Sequence, residues 1–397
     1  MMVAGRRCDD RRGMSRFAVG IELDGAGYHP AAWRRSRDEP AGLLSARTLQ
    51  ARVSAAENAG FTLATFDDSI LPPDAGPAGR IDAPTRASFV AATTSTLGLV
   101  PAVATTYAEP FHTASALATL DYSSRGRAGW LATVDPGAAA AWGRVPRTTG
   151  VEVRREQRDS IEVARRLWDS WEDDAVIRDW GSGRFLDRDR LHYIDFEGET
   201  FSVKGPAIVP RPPQGQVVVF AHSATVFADE SGHGPASSGS DLNPGQSISG
   251  SGTDSFGSAD VVLVTGVDPD TAISAAERAA GDALVFVDLE VALDTPDHSA
   301  AERLAELDSH AAVEPRGRLH FSGSPDDLVR LLTRLSRHVD GVRLHPAVID
   351  EDLPVLARVV LPVLFRTAIA HRPVPGATLR ANLGLTRPAN RYAEEQL

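Results

Sequence analysis

A single cysteine, Cys8, is present in 397 residues. That count excludes a disulfide framework and a cysteine-built metal centre, and it suits a reducing cytoplasm. Lysine is as scarce: Lys204 stands alone among 41 basic residues, a bias of composition rather than of function. Basic charge as a whole is outweighed by 53 acids, for a net charge of −12, which argues against nucleic acid as a partner because a phosphate backbone needs a basic surface. No apolar run reaches the roughly 20 residues of a membrane span, so a soluble protein is expected. The opening "MMVAGRRCDDRRG" lacks the apolar centre of a signal peptide, and Met14 follows it directly. Residues 1–15 therefore read as a disordered arm or an over-extended start, with the folded domain spanning 16–397.

Strand-length apolar runs alternate with helical stretches along that domain. The runs lie at 16–23, 61–66, 99–106, 128–134, 217–223, 259–265, 283–291 and 341–347. Helix-spaced segments separate them at 44–60, 85–98, 110–126, 152–171, 270–280, 300–308, 325–338 and 352–366. The strands are continuously apolar, as parallel strands covered on both faces should be. Eight such pairs predict an α/β fold, a single (β/α)8 TIM barrel with insertions. A doubly wound sheet is the rival, but no glycine-rich phosphate fingerprint follows the first strand.

Two stretches interrupt the alternation. Residues 174–214 hold the hairpin-like "HYIDFEGETFSV" and the extended "VPRPPQGQ". Residues 229–258 are almost all Gly, Ser, Asp and Pro, too polar to order by burial, and predict a mobile loop that could close over a site. The acids of "WEDDA" read as an exposed helix end rather than a metal centre, and no metal site is expected.

Several segments in order, "GYHPAAWR" (27–34), "AENAGFTLATFDDS" (56–69), "ATTYAEPFHTASALATLDYSSRGRAGW" (104–130), "HYIDFEGETFSVKGPAIVPRPPQGQ" (192–216) and "TLRANLGLTRPANRYA" (378–393), resemble the bacterial luciferase-like flavin monooxygenases, in particular the nitrilotriacetate and dibenzothiophene-sulfone monooxygenase group. The resemblance implies a homodimer or homotetramer, and the cysteine count a cytoplasmic one. It also implies reduced FMN, delivered by a partner flavin reductase to the C-terminal mouth of the barrel and used there to oxygenate a small organic substrate. Related barrels use a deazaflavin instead, and a flavin-free paralogue that binds a ligand or regulates a partner is a further alternative.

Carried over position by position, the resemblance places Asp68 and the strand-end pair Thr105 and Thr106 against the flavin. Ser223 and Thr225 fall at a phosphate site, and Arg154 stands where the family has a tyrosine and could meet the phosphate. Leu131 replaces a polar asparagine, and the family's histidine near position 150 has no counterpart. Substrate-pocket candidates are His29 and Trp33 after the first strand, Trp130, and His222 at a strand end. His345 is a second strand-end histidine. No catalytic residue is singled out.

Overall fold

Alternation of inward and outward side chains along eight strands builds this protein around two apolar layers. The computed structural model describes residues 17–38, 40–71, 79–223, 259–313 and 316–393. Thr225, residues 1–16 and the Gly/Ser stretch 229–258 lie outside them.

The strands β1 (Ala18–Glu22), β2 (Leu63–Phe66), β3 (Gly98–Ala104) and β4 (Gly129–Thr133) are followed by two short hairpins. These are β5 (Val176–Asp179) with β6 (Arg184–Leu186), and β7 (Phe196–Glu197) with β8 (Ser202–Val203). Then come β9 (Val218–His222), β10 (Val261–Val264), β11 (Leu284–Leu293), β12 (Leu319–Gly323) and β13 (Gly341–Pro346). Parallel pairing runs β1–β2–β3–β4–β9–β10–β11–β13 and returns to β1, which closes an eight-stranded barrel. The expected (β/α)8 architecture is the one observed, and each of the eight apolar runs supplies one barrel strand.

Helices α1 (Ala46–Ala59), α2 (Ala83–Ala91), α3 (Pro110–Ser124), α4 (Gly150–Asp169), α5 (Pro269–Ala279), α6 (Ala300–Asp308), α7 (Pro325–Leu335), α8 (Ile349–Val355) and α9 (Leu361–Arg366) surround it, and α10 (Leu379–Asn382) follows. Local chemistry sets their ends. Ser45, Thr149, Asp268, Ser299 and Ser324 each accept a first-turn backbone N–H, and Gly60 stops α1 at φ 94°. The second helix ends at Ala91, short of the expected 98, where the hydroxyls of Thr93 and Thr94 donate to the carbonyl of Val90.

Outward residues such as Val19, Phe66, Leu99, Val219 and Val342 pack against the helices. Inward residues, among them Leu63, Val100, Leu131, Phe220, Leu263 and Phe286, fill the barrel's interior, and Leu379 and Leu383 plug its N-terminal end. Phe220 and Phe286 meet edge to face at 6.2 Å between centroids. Gly341 makes room for Phe286, whose ring would lie 2.6 Å from a Cβ at that position. Bottom and middle of the barrel are thus apolar, and the polar inward positions collect at the C-terminal ends of the strands.

Two features were not expected from the sequence. The β5–β6 hairpin is one. The other is β12, which pairs with Leu289–Leu293 of β11 after β10 has paired with Leu284–Val287. At ten residues, β11 outruns its barrel neighbours and carries a ninth strand above the rim.

Candidate active site at the barrel mouth

Period-two alternation decides which polar residues face inward. On β11, Asp288 and Glu290 continue the inward column of Leu284 and Phe286; on β13, Arg343 and His345 continue that of Gly341. The register sets Asp288 opposite Arg343 and Glu290 opposite His345, while β12 sets His320 on the other side of Glu290. Glu22 ends β1, Thr65 and Asp67 lie at the end of β2, and His222 ends β9.

Asp288 is the hub. It is wholly buried and accepts two hydrogen bonds of 2.7 Å from the Arg343 guanidinium, a two-pronged ion pair. His222 Nδ1 lies 3.7 Å away, His345 Nε2 3.4 Å and Arg318 Nε 3.9 Å. Burial opposes ionisation of Asp288, but the charge of Arg343 and the His345 imidazole outweigh it and hold its carboxyl well below the usual range.

The neighbouring groups shift the other way. Burial, and then the Asp67 carboxylate, push Glu22 up to about 7 against the pull of Arg343. Glu22 accepts from the Thr65 hydroxyl at 2.7 Å and from the Asp67 backbone N–H at 3.0 Å. Burial also lowers His222 to about 4, and burial with the charges of Arg318 and Arg343 lowers His345 to about 3. At neutral pH both imidazoles are uncharged, while Glu22 sits near its midpoint. Two buried atoms here make no hydrogen bond among the described residues, His345 Nε2, 3.4 Å from Asp288 Oδ1, and Glu290 Oε1.

Above this cluster opens a cavity of about 530 Å³, within the range of small-molecule sites. Six arginines line it (Arg52, Arg80, Arg86, Arg316, Arg318 and Arg343) against three acids, Glu22, Asp24 and Asp67. Carboxylates behind the lining, Asp288, Glu290 and Asp350, stand against the same arginines, so the cavity is densely charged with nearly balanced signs, and an anionic ligand is met by individual guanidinium groups. Four of the six arginines hydrogen-bond a carboxylate: Arg52 with Asp350, Arg80 and Arg86 with Asp24, Arg343 with Asp288.

The residues singled out from sequence divide into two sets. His29, Trp33 and His222 line the cavity, as does Leu131. His29 is held rigidly there, accepting from the Ala31 N–H and meeting Asp308 Oδ1, each at 3.1 Å.

The others stand elsewhere. Trp130 is 1% exposed and packs outward, edge to face with Trp168, its indole N–H donating to the Val103 carbonyl. The outward phase of its strand therefore places it in the shell between barrel and helices, not in the pocket wall. Thr105 donates to the Thr133 carbonyl, and the Thr106 hydroxyl accepts from the Asp135 N–H, so both lace β3 to the end of β4. Asp68 accepts from Ala83 N at 2.6 Å and Ser69 N at 2.9 Å, tying down the start of α2. Arg154 lies in the first turns of α4 with its guanidinium over Gly150, and Ser223 is half-buried just after β9.

Sequence reading passed over Glu22, Asp67, Asp288, Glu290, Arg318 and Arg343. A signal was available in "VDLEV" and "VRLHP", where ionisable residues two apart sit inside otherwise apolar strands. Among the described residues no group of His, Cys, Asp or Glu could hold a metal ion.

Fold and cavity together describe a closed parallel barrel that gathers its charged inward residues at the C-terminal rim. Comparison with known proteins names the family. The family model for luciferase-like monooxygenases matches residues 28–240, more than half of the chain, and the protein belongs to that family. It is 28% identical to N-acetyl-S-(2-succino)cysteine monooxygenase of Bacillus subtilis (strain 168), over 95% of this chain and 98% of that one. It is 26% identical to nitrilotriacetate monooxygenase component A of Aminobacter aminovorans, again over 95% and 98%. The structure of EDTA monooxygenase from Chelativorans sp. BNC1 superposes with a TM-score of 0.74 at 18% identity, covering 94% of this chain and 100% of that one. The protein is thus an oxidoreductase of the luciferase-like monooxygenase family.

Proposed function

We propose that the protein is an FMN-dependent monooxygenase that receives reduced FMN from a separate flavin reductase and oxygenates a small organic substrate at the barrel mouth. The observation that carries this reading is the arginine-lined cavity over the Asp288 cluster, in a barrel of this family. The residues present suit an anionic, flat, partly polar cofactor. Arg316 and Arg318 offer guanidinium groups to negative charge, Leu131 offers an apolar wall, and His345 Nε2 offers a buried polar atom that makes no hydrogen bond to the described residues.

When bound, the flavin supplies the activation of oxygen that no side chain can provide. The chain's own part is to bind, orient and exclude water. Arg343, clamped by Asp288, is a fixed positive charge on the cavity floor. Glu22, near its midpoint at pH 7, can hold or release a proton there without a large driving force. Neutral His222 and His345 accept or donate hydrogen bonds without adding charge.

Anaerobic titration of the purified protein with reduced FMN tests the reading, followed by admission of oxygen. Saturable micromolar binding and oxygen consumption that depends on an added organic substrate are expected. Absence of binding at 1 mM reduced FMN would remove the mechanism. Tight binding of a reduced deazaflavin with oxygen-independent turnover would replace it.

A further inference from the structure

Two arginines flank Asp288, and only one of them hydrogen-bonds it. Arg343 on β13 gives Asp288 two hydrogen bonds of 2.7 Å. Arg318, immediately before β12, reaches no acceptor within hydrogen-bond distance among the described residues. Its nearest carboxylates are Glu290 Oε1 at 3.6 Å and Asp288 Oδ2 at 3.9 Å. Its side chain is 22% exposed, and that exposure opens into the cavity.

The mismatch has a second half. Glu290 Oε1 is buried and lacks a hydrogen bond, although a guanidinium stands 3.6 Å from it. A guanidinium carries five N–H donors in a planar fork shaped for two oxygens of one anion. Held just off two carboxylates, the Arg318 fork is positioned by long-range attraction while its donors stay available. Arg318 is also the only one of the cavity arginines that combines a described protein anchor with no hydrogen bond spent on it. Its place immediately before the ninth strand puts it at the cavity wall.

We propose that Arg318 is the anion-binding residue of this cavity, taking an oxyanion of the bound molecule in a two-pronged hydrogen bond while Glu290 competes for the same fork. The inference rests on the reading of this cavity as the active site. The oxyanion is a carboxylate of the organic substrate or the phosphate of the flavin, and the two sources separate experimentally. By this assignment the site selects acidic ligands over neutral ones of the same shape.

Binding to wild type, Arg318→Met and Glu290→Gln is compared by calorimetry with four probes: succinate, inorganic phosphate, and anaerobically reduced FMN and riboflavin. Met keeps the length of the stem and its packing but removes the fork. Loss of two charge-assisted hydrogen bonds weakens the recognised oxyanion about 10- to 100-fold. If succinate weakens while reduced FMN holds, Arg318 serves the substrate. If reduced FMN weakens to the affinity of reduced riboflavin, it serves the phosphate. Glu290→Gln removes the competing charge and tightens the same ligand.

A purely structural Arg318–Glu290 pair predicts a different pattern, with both variants melting earlier and no affinity moving. That pattern overturns the proposal, as does equal binding, or equal lack of it, of all four probes by wild type and Arg318→Met. Failure of wild type to bind reduced FMN, with succinate still lost in Arg318→Met, removes the monooxygenase reading and leaves the anion site standing.

Discussion

Replacing Asp288 by asparagine should expose how much of the barrel mouth depends on one carboxylate. Asp288 is wholly buried, and Arg343 beside it is 3% exposed at the cavity floor, so neither charge is well hydrated when the other is lost. Breaking a buried pair from one side costs about 3–5 kcal/mol, mainly because a charge is left uncompensated. Two details refine the figure. Asparagine accepts from one guanidinium N–H but turns its own NH2 towards the other, which sets donor against donor. Glu22 Oε2 lies 3.8 Å from Arg343 and can ionise to meet the stranded charge, which brings the expected loss to about 3 kcal/mol. Urea denaturation followed by the fluorescence of buried Trp130 and Trp168 reads this as a shift in midpoint at unchanged slope. The double variant Asp288→Leu/Arg343→Met removes both charges at similar volume and should return to within about 1–2 kcal/mol of wild type. A single Asp288→Asn variant within about 1 kcal/mol of wild type would refute the account, because the pair would then be solvated or dispensable.

Further expectations concern titration, packing and the sequence-derived contacts. Glu22 has its carboxyl raised in the folded state, so its protonated form is favoured by folding. Wild type therefore loses on the order of 2–3 kcal/mol from this group as pH climbs from its usual 4.5 through about 7, and Glu22→Gln flattens that slope in pH-dependent urea midpoints. An unchanged slope would place Glu22 in contact with water. Gly341→Ala drives a methyl to 2.6 Å from both the Ala18 carbonyl oxygen and the Phe286 ring, and about 1–3 kcal/mol of destabilisation is expected; a variant as stable as wild type would show that the barrel interior yields freely. Asp68→Ala removes the acceptor of the Ala83 and Ser69 amides, so stability should fall by about 1 kcal/mol while reduced-FMN affinity stays within twofold. A large loss of flavin affinity in that variant would return Asp68 to the site.

The barrel was legible in the residues for a physical reason. A parallel strand buried on both faces needs an unbroken apolar run, and each of the eight runs became a barrel strand within a few residues of its expected ends. Helix stops were written locally too, in Ser45, Thr149 and Gly60. Family membership was legible in ordered motifs. The site was harder to read, because a motif marks where a residue sits along a strand but not which way it points. Trp130 and Leu131 are adjacent, yet one packs outward on Trp168 and the other lines the cavity. Thr105 and Thr106 sit at the rim as expected, and their hydroxyls are engaged with the end of β4.

What the chain alone determined, then, was the alternation, the closed sheet it implies and the chemical class of the family. Tertiary structure decided the cluster, since Glu22, Asp288, Arg318 and Arg343 are scattered over some 320 positions and meet only when β1 closes against β13. Closure also set the ionisation states. A carboxyl pushed up to about 7 and another held far below its usual range differ in the neighbours that the barrel supplies, and that difference cannot be read from residue type.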